Sequence, residues 1–146
     1  MKWLTSILVV LLTITAIAKE PIRTSGKEDG SGIEFHNGSW EEALQKAVKE
    51  GKPVFLDISA SWCGPCKMLK KNTFTNEEVG EYFNTNFVNV AVDGEKGEGV
   101  DLARKYRIRG YPTMIFIDSN GEILSQLSGY RDPKGLIKVG KQVLNR

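Results

Sequence analysis

Cysteine and histidine are scarce in this sequence, which holds two cysteines and one histidine among 146 residues. A zinc site built only from cysteine and histidine needs four ligands, so these residues cannot supply one. No glycine-rich phosphate-binding motif is present, and no nucleotide cofactor is expected. The formal net charge is only +2, a balance that favours neither nucleic acid nor an anionic membrane as a partner.

One long apolar run is present, at the N-terminus. Lys2 precedes an almost wholly apolar stretch over residues 4–17, and Ala16-Ile17-Ala18 matches a small-x-small cleavage site. We therefore expect residues 1–18 to be a signal peptide that is cleaved near Ala18, which would make the protein periplasmic or secreted. A single membrane anchor is the alternative, although the run is shorter than the roughly 20 residues that span a bilayer.

The rest of the chain divides into a polar lead and one domain. Residues 19–32 contain one proline, three glycines and scattered charges, which is typical of a flexible segment. Residues 33–146 alternate strand and helix patterns in the order β-α-β-α-α-β-α-β-β-α, which indicates an α/β domain. The expected strands are 33–35, 54–59, 87–92, 113–117 and 122–128.

Polar residues mark three helix starts. Two pairs match the capping-box pattern, and one aspartate stands before a proline at the first helical position. These helix starts are Ser39 with Glu42, Thr75 with Glu78, and Asp132 with Pro133.

Both cysteines lie in one short motif, between the strand pattern 54–59 and a helical pattern. The motif is Trp62-Cys63-Gly64-Pro65-Cys66-Lys67. This spacing places Cys63 at the N-terminus of the helix and Cys66 three residues later on the same helical face. Unpaired amides and the positive end of the helix dipole favour a thiolate there. Because a thiolate attacks disulfides and a second thiol resolves the product, the motif predicts a thiol–disulfide oxidoreductase.

Two other interpretations of the cysteine pair stay open. The pair could be half of a zinc site, with His36 and carboxylates completing the ligand shell. It could also be a permanent structural disulfide, although so short a loop constrains the unfolded chain little. The glycine-rich stretch 93–99 lacks the EF-hand pattern, and it predicts a surface loop rather than a calcium site.

The sequence resembles the thioredoxin superfamily over residues 33–146. The resemblance rests on the cysteine motif, on Asp57 six residues before Cys63, and on Arg109-Gly110-Tyr111-Pro112-Thr113 before a strand. Within the superfamily, the chain is most similar to secreted domains such as the periplasmic C-terminal domain of the disulfide reductase DsbD. The resemblance implies a thioredoxin fold, with a central mixed β-sheet flanked by helices and the CxxC at the N-terminus of a helix.

The resemblance also implies roles for three residues. Cys63 would be the exposed nucleophile and Cys66 the resolving thiol, so the redox-active disulfide would be the only cofactor needed. Asp57 would be a buried acid with a raised pKa that takes the proton of Cys66. Strand alternation allows Asp57 and Ser59 to face water instead. Asn89 stands where thioredoxins commonly carry a lysine that pairs with this acid.

A substrate groove is implied around the motif. The resemblance predicts a cis peptide bond before Pro112, opposite the sulfurs, which leaves the Tyr111 backbone free to pair with an extended substrate. The groove would be lined by Trp62, Tyr111, Pro112, Gly110 and Gly129, and the active-site turn would be Gly64, Pro65 and Lys67. Trp62 and Tyr111 could instead be packing residues, and Lys67 could be a solvated lysine.

The dipeptide between the cysteines bears on the direction of electron flow. Gly64-Pro65 resembles reducing thioredoxins, whose potential is about −270 mV, against about −120 mV for the oxidant DsbA. The sequence thus predicts a monomeric protein-disulfide reductase or electron shuttle that acts on protein disulfides. A membrane thiol donor of the DsbD type would recharge it. The alternatives are a disulfide oxidase or isomerase, and a peptide-binding module without turnover.

Overall fold

The computed structural model describes residues 31–146. The predicted signal peptide, residues 1–18, and nearly all of the predicted lead, residues 19–32, lie outside the described residues. Within residues 31–146, no helix combines the length and the apolar character needed to cross a membrane.

A four-stranded sheet forms the middle of the domain. Its strands are β1 (Val54–Ser59), β2 (Val88–Asp93), β3 (Thr113–Ile117) and β4 (Ile123–Ser128). The order across the sheet is β2-β1-β3-β4. β1 pairs with β2 in parallel and with β3 antiparallel, and β3 pairs with β4 antiparallel. The predicted mixed sheet is confirmed, and its central strand β1 is the one that leads into the cysteine motif.

Within residues 31–146, five α-helices cover the two faces of the sheet. They are α1 (Trp40–Glu50), α2 (Gly64–Met68), α3 (Glu77–Asn86), α4 (Glu98–Lys105) and α5 (Pro133–Leu144). α2 continues into a π-helical stretch, Leu69–Phe74. Apolar residues of α1 and α4 pack on one sheet face, while those of α3, α5 and the π-helical stretch pack on the other. The thioredoxin fold predicted from the sequence is thereby confirmed.

Every residue of β1 is buried, because helices cover both sheet faces. Alternation along the strand decides which layer each side chain meets. Leu56 and Ile58 face α1 and α4. Phe55 faces the other layer, where its ring lies 4.7 Å from that of Phe83 between centroids. Asp57 lies two residues after Phe55 in the strand, so its side chain points to the same face of the sheet, toward the layer that contains α2.

The predicted first strand at residues 33–35 is wrong. The segment is held at its two ends by different elements, since Ile33 N–H donates to Phe74 O and His36 N–H donates to Asn89 O, each at 2.7 Å. Single hydrogen bonds to a helical stretch and to β2 do not make a continuous ladder, so the sheet ends at β2.

One predicted cap is wrong and two are confirmed. The side chain of Asn76, not that of Thr75, caps α3 by accepting from Val79 N–H at 3.1 Å. Thr75 instead donates its hydroxyl to Lys71 O, which ties it to the preceding helix. The caps at Ser39 and Asp132 are present as predicted. α4 begins at Glu98, so the last two residues of the predicted loop 93–99 are helical.

Candidate functional site

Cys63 and Cys66 form a disulfide at the start of α2, with Cα atoms 5.3 Å apart. Cys63 is the N-cap of the helix, and its sulfur accepts a hydrogen bond from Cys66 N–H at 3.2 Å. Pro65 stands in the first turn, where a missing N–H costs nothing. The disulfide therefore lies where the unpaired amides of a helix meet the end of a buried strand.

The expectation that Cys63 is exposed is wrong for this oxidised form. Cys63 is 3% exposed and Cys66 is 2% exposed. Both pack in a small cluster with Ala60, against which the half-buried Tyr111 also lies. The disulfide is therefore largely shielded from solvent by its neighbours.

Asp57 is fully buried, so the alternative in which it faces water is excluded, and the same holds for Ser59. Neither carboxyl oxygen of Asp57 has a hydrogen-bond partner among the described residues. Burial raises the pKa of Asp57 to about 7. The positive charge of Lys70 and, to a smaller extent, the Ser59 hydroxyl lower this pKa and oppose the effect of burial. A carboxyl group with that pKa can exchange a proton near neutral pH.

Asn89 does not take the place of the missing lysine. It lies opposite Phe55 in the β1–β2 register, and its amide donates to Glu34 O at 3.3 Å and to Asn84 Oδ1 at 3.1 Å. The cation that acts on Asp57 is Lys70, which sequence reasoning missed. Its position four residues after Cys66, one helical turn on, was the available signal.

The peptide bond between Tyr111 and Pro112 is cis, as the resemblance implied. The carbonyl of Pro112 accepts from Gly129 N–H at 2.9 Å, and Gly129 has a φ of 85°, a region that favours glycine. Thr113 donates its hydroxyl to Gly110 O at 2.7 Å. These bonds attach the loop that carries Tyr111 to the end of β4, next to the cysteine cluster.

Trp62 is 67% exposed, so it is not a core residue. Its indole N–H donates to Glu95 Oε2 at 3.0 Å, and its ring meets that of Tyr111 edge-on at 6.1 Å between centroids. Burial and the negative charges of Glu95 and Asp93 raise the pKa of the Tyr111 phenol. Sequence reasoning missed Glu95, which lies in the stretch predicted to be a surface loop.

Other predicted residues lie at the edge of this arrangement or outside it. Gly64, Pro65 and Lys67 are exposed in α2, and Lys67 N–H donates to Cys63 O at 3.2 Å. His36 precedes α1 and lies beside Gly38. Within residues 31–146, no group of three or more histidine, cysteine, aspartate or glutamate side chains could hold a metal ion.

Comparison with known proteins identifies the family. The model of the thioredoxin-like domain matches residues 40–144. The thiol:disulfide interchange protein DsbD of Yersinia pestis is 35% identical over 89 residues, which are 59% of this chain and 15% of that protein. Spermatogenesis-associated protein 20 of Rattus norvegicus is 48% identical over 81 residues, or 56% of this chain and 9% of that protein. The chain thus matches only a small part of these curated relatives.

Two solved structures extend the comparison over most of the domain. A proposed disulphide-isomerase from Bacteroides thetaiotaomicron is 45% identical with a TM-score of 0.69, covering 79% of this chain and 95% of that one. The oxidised C-terminal domain of DsbD from Neisseria meningitidis is 26% identical with a TM-score of 0.61, covering 75% of this chain and 97% of that one. This chain belongs to the thioredoxin-like family of disulfide oxidoreductases.

Proposed function

We propose that this protein is an extracytoplasmic protein-disulfide reductase or electron shuttle. The observation that carries the proposal is the Cys63–Cys66 disulfide at the start of α2, where Cys66 N–H points at the Cys63 sulfur. The amide and the helix N-terminus favour a negative charge on that sulfur after reduction. The apolar N-terminal run with its small-residue cleavage pattern supports a location outside the cytoplasm.

The proposed reaction has two exchange steps. The Cys63 thiolate attacks one sulfur of a substrate disulfide, forms a mixed disulfide and releases the other sulfur as a thiolate. Cys66 then gives its proton to Asp57 and attacks the Cys63 sulfur, which releases the second substrate sulfur as a thiolate and closes the Cys63–Cys66 disulfide. Two electrons pass from the protein to the substrate. The buried carboxyl group of Asp57 suits this proton transfer, because its pKa is about 7.

Protein disulfides are the proposed substrates. Trp62 and Tyr111 stand beside the cysteine cluster, and Gly110, Pro112 and Gly129 would complete a shallow substrate groove next to them. An extended segment can pair with the backbone of such a groove, while its cysteine reaches Cys63. The protein would act as a monomer.

The dipeptide Gly64-Pro65 supports the reducing direction. A potential near that of thioredoxin requires a donor that delivers electrons to the extracytoplasmic compartment, because disulfides persist there. The similarity to proteins named DsbD supports a membrane thiol donor of that type.

A disulfide isomerase is the second candidate. The 45% identity with the Bacteroides thetaiotaomicron protein favours it, since that protein is proposed to be a disulphide-isomerase. A peptide-binding module without turnover would keep its full activity in the Cys63→Ser, Cys66→Ser double variant.

One experiment separates these functions. The reduced protein is mixed in equal amounts with native insulin or with a scrambled ribonuclease, and free thiols and recovered ribonuclease activity are followed. A reductase cleaves the insulin disulfides stoichiometrically and ends oxidised. Recovery of ribonuclease activity over many cycles, without net oxidation of Cys63 and Cys66, would establish the isomerase instead.

A further inference from the structure

The turn after β2 contacts the end of β1 that leads into the cysteine motif and the loop that carries Tyr111. Gly94 N–H donates to Ser59 O at 2.8 Å. A Cβ at Gly94 would lie 2.6 Å from the Tyr111 ring and 2.9 Å from Ile58, so a larger residue there would force these side chains to shift. The turn therefore lies directly against two elements that flank the disulfide.

The same turn fixes the backbone of Glu95. The side chain of Asp93 accepts from Glu95 N–H at 3.0 Å, and Lys96 pairs with the second carboxylate oxygen of Asp93 at 3.4 Å. An aspartate that accepts a bond from the backbone two residues on defines a tight turn. Its result is that the Glu95 carboxylate faces the Trp62 indole.

Trp62 is the most exposed large apolar side chain among the described residues, at 67%. An exposed side chain normally samples several rotamers, and ordering it on binding costs free energy. Here the indole is held at two points, by the hydrogen bond to Glu95 and by the edge of Tyr111. Of these contacts, only the bond to Glu95 is polar and directional.

We propose that Glu95 is a positioning residue that restricts the Trp62 side chain to one orientation, in which the indole forms one wall of the substrate groove. The proposal rests on the reductase function proposed above, and it assigns a task to the turn after β2. Because the wall is in place before substrate arrives, a protein segment binds without first ordering the indole. Glu95 acts through Trp62 and does not touch the reacting sulfurs. The hydrogen bond, rather than the negative charge, is what matters.

Kinetics with two disulfides of different size test this proposal. Glu95→Ala is expected to raise the KM for insulin about fivefold, the loss of one modest hydrogen bond, while kcat stays within twofold. Hydroxyethyl disulfide is too small to span the groove, so its reduction rate should be unchanged. Glu95→Gln keeps an oxygen that accepts from the indole and should restore the insulin KM. Glu81→Ala removes an exposed glutamate on α3 and serves as the matched control.

A spectroscopic readout follows the hydrogen bond itself. The indole N–H resonance of Trp62, assigned by its loss in Trp62→Phe, should exchange with water several times faster in Glu95→Ala and as in wild type in Glu95→Gln. An unchanged insulin KM in folded Glu95→Ala, or a raised KM in Glu95→Gln, would overturn the proposal while leaving the reductase function intact. Wild-type protein that reduces neither disulfide would overturn the function, although the indole resonance would still test the positioning by Glu95.

Discussion

The backbone N–H of Cys66 lies 3.2 Å from the sulfur of Cys63 and donates a hydrogen bond to it. The two residues share one helical turn, so we expect the donor to stay with the sulfur when the disulfide is reduced. A hydrogen bond to a charged acceptor is stronger than one to a neutral acceptor. The arrangement therefore favours the Cys63 thiolate over the thiol, as the roles proposed for the two cysteines require.

Cys66→Ser is expected to trap a mixed disulfide between Cys63 and a protein substrate, because no thiol remains to resolve it. Mass spectrometry without reductant should detect a 1:1 adduct. Cys63→Ser serves as the control and should form no adduct, since the Cys66 sulfur lacks the N-cap position and the backbone hydrogen bond that favour a thiolate at Cys63. Equal trapping by both variants would contradict the assigned roles.

Asp57→Asn is expected to stabilise the protein at pH 8 and to change its stability little at pH 4. The pKa of Asp57 is raised from 3.8 to about 7, so the native state keeps a proton that the unfolded state has lost. Stability of the wild type therefore falls as pH rises from about 4 to about 7, by about 1.4 kcal/mol per pH unit at most.

Urea unfolding at the two pH values checks this prediction. The variant should exceed the wild type by about 2–4 kcal/mol at pH 8. Asp101→Asn, which changes an aspartate exposed on α4, should shift stability by less than about 0.5 kcal/mol at either pH. A destabilised Asp57→Asn at pH 8 would show that the carboxylate has a partner.

The same carboxyl group is expected to control the pH dependence of turnover. In the proposed mechanism Asp57 accepts the proton of Cys66 only when it is ionised, so the rate of the resolving step should rise with pH and level off above about 7. In Asp57→Asn the break near pH 7 should vanish, with a loss of about tenfold or more at neutral pH. Stopped-flow decay of a preformed mixed disulfide measures this step. A break that persists in the variant would assign it to another group.

Gly94→Ala is expected to destabilise the protein by about 1–3 kcal/mol, because the new methyl group would clash with Tyr111 at 2.6 Å. It should also weaken insulin reduction, since Tyr111 and Glu95 are displaced together. For the change in stability alone, the matched control is Gly64→Ala, where nothing lies within 4 Å of the added atom. That variant should keep its stability or gain up to about 1 kcal/mol. Thermal unfolding of both variants measures the two changes in stability.

The sequence was informative wherever local patterns decide the structure. The buried strand, the cysteine spacing and the caps at Ser39 and Asp132 act over a few residues, and the structure has them as predicted. The strand predicted at residues 33–35 was wrong because the apolar residues of this segment pack beside helices. A short strand and a packed coil have the same apolar pattern in the sequence. The predicted cap at Thr75 was wrong because two neighbouring polar residues, Thr75 and Asn76, compete for one role.

Contacts between distant parts of the chain could not be predicted in the same way. The bond between Trp62 and Glu95 joins residues 33 positions apart, and no local pattern pairs them. The influence of Lys70 on Asp57 depends on how a π-helical stretch lies over β1. The burial of Cys63 likewise depends on packing against Tyr111, which lies in a loop distant from Cys63 along the chain.

The reduction potential of the Cys63–Cys66 pair tests the central claim most directly. The full chain is equilibrated in defined dithiol buffers, and the fraction oxidised is read after acid quenching and alkylation. A reductase should have a potential near that of thioredoxin, about −270 mV. A value near that of DsbA, about −120 mV, would contradict the reducing direction and make the protein an oxidant or isomerase.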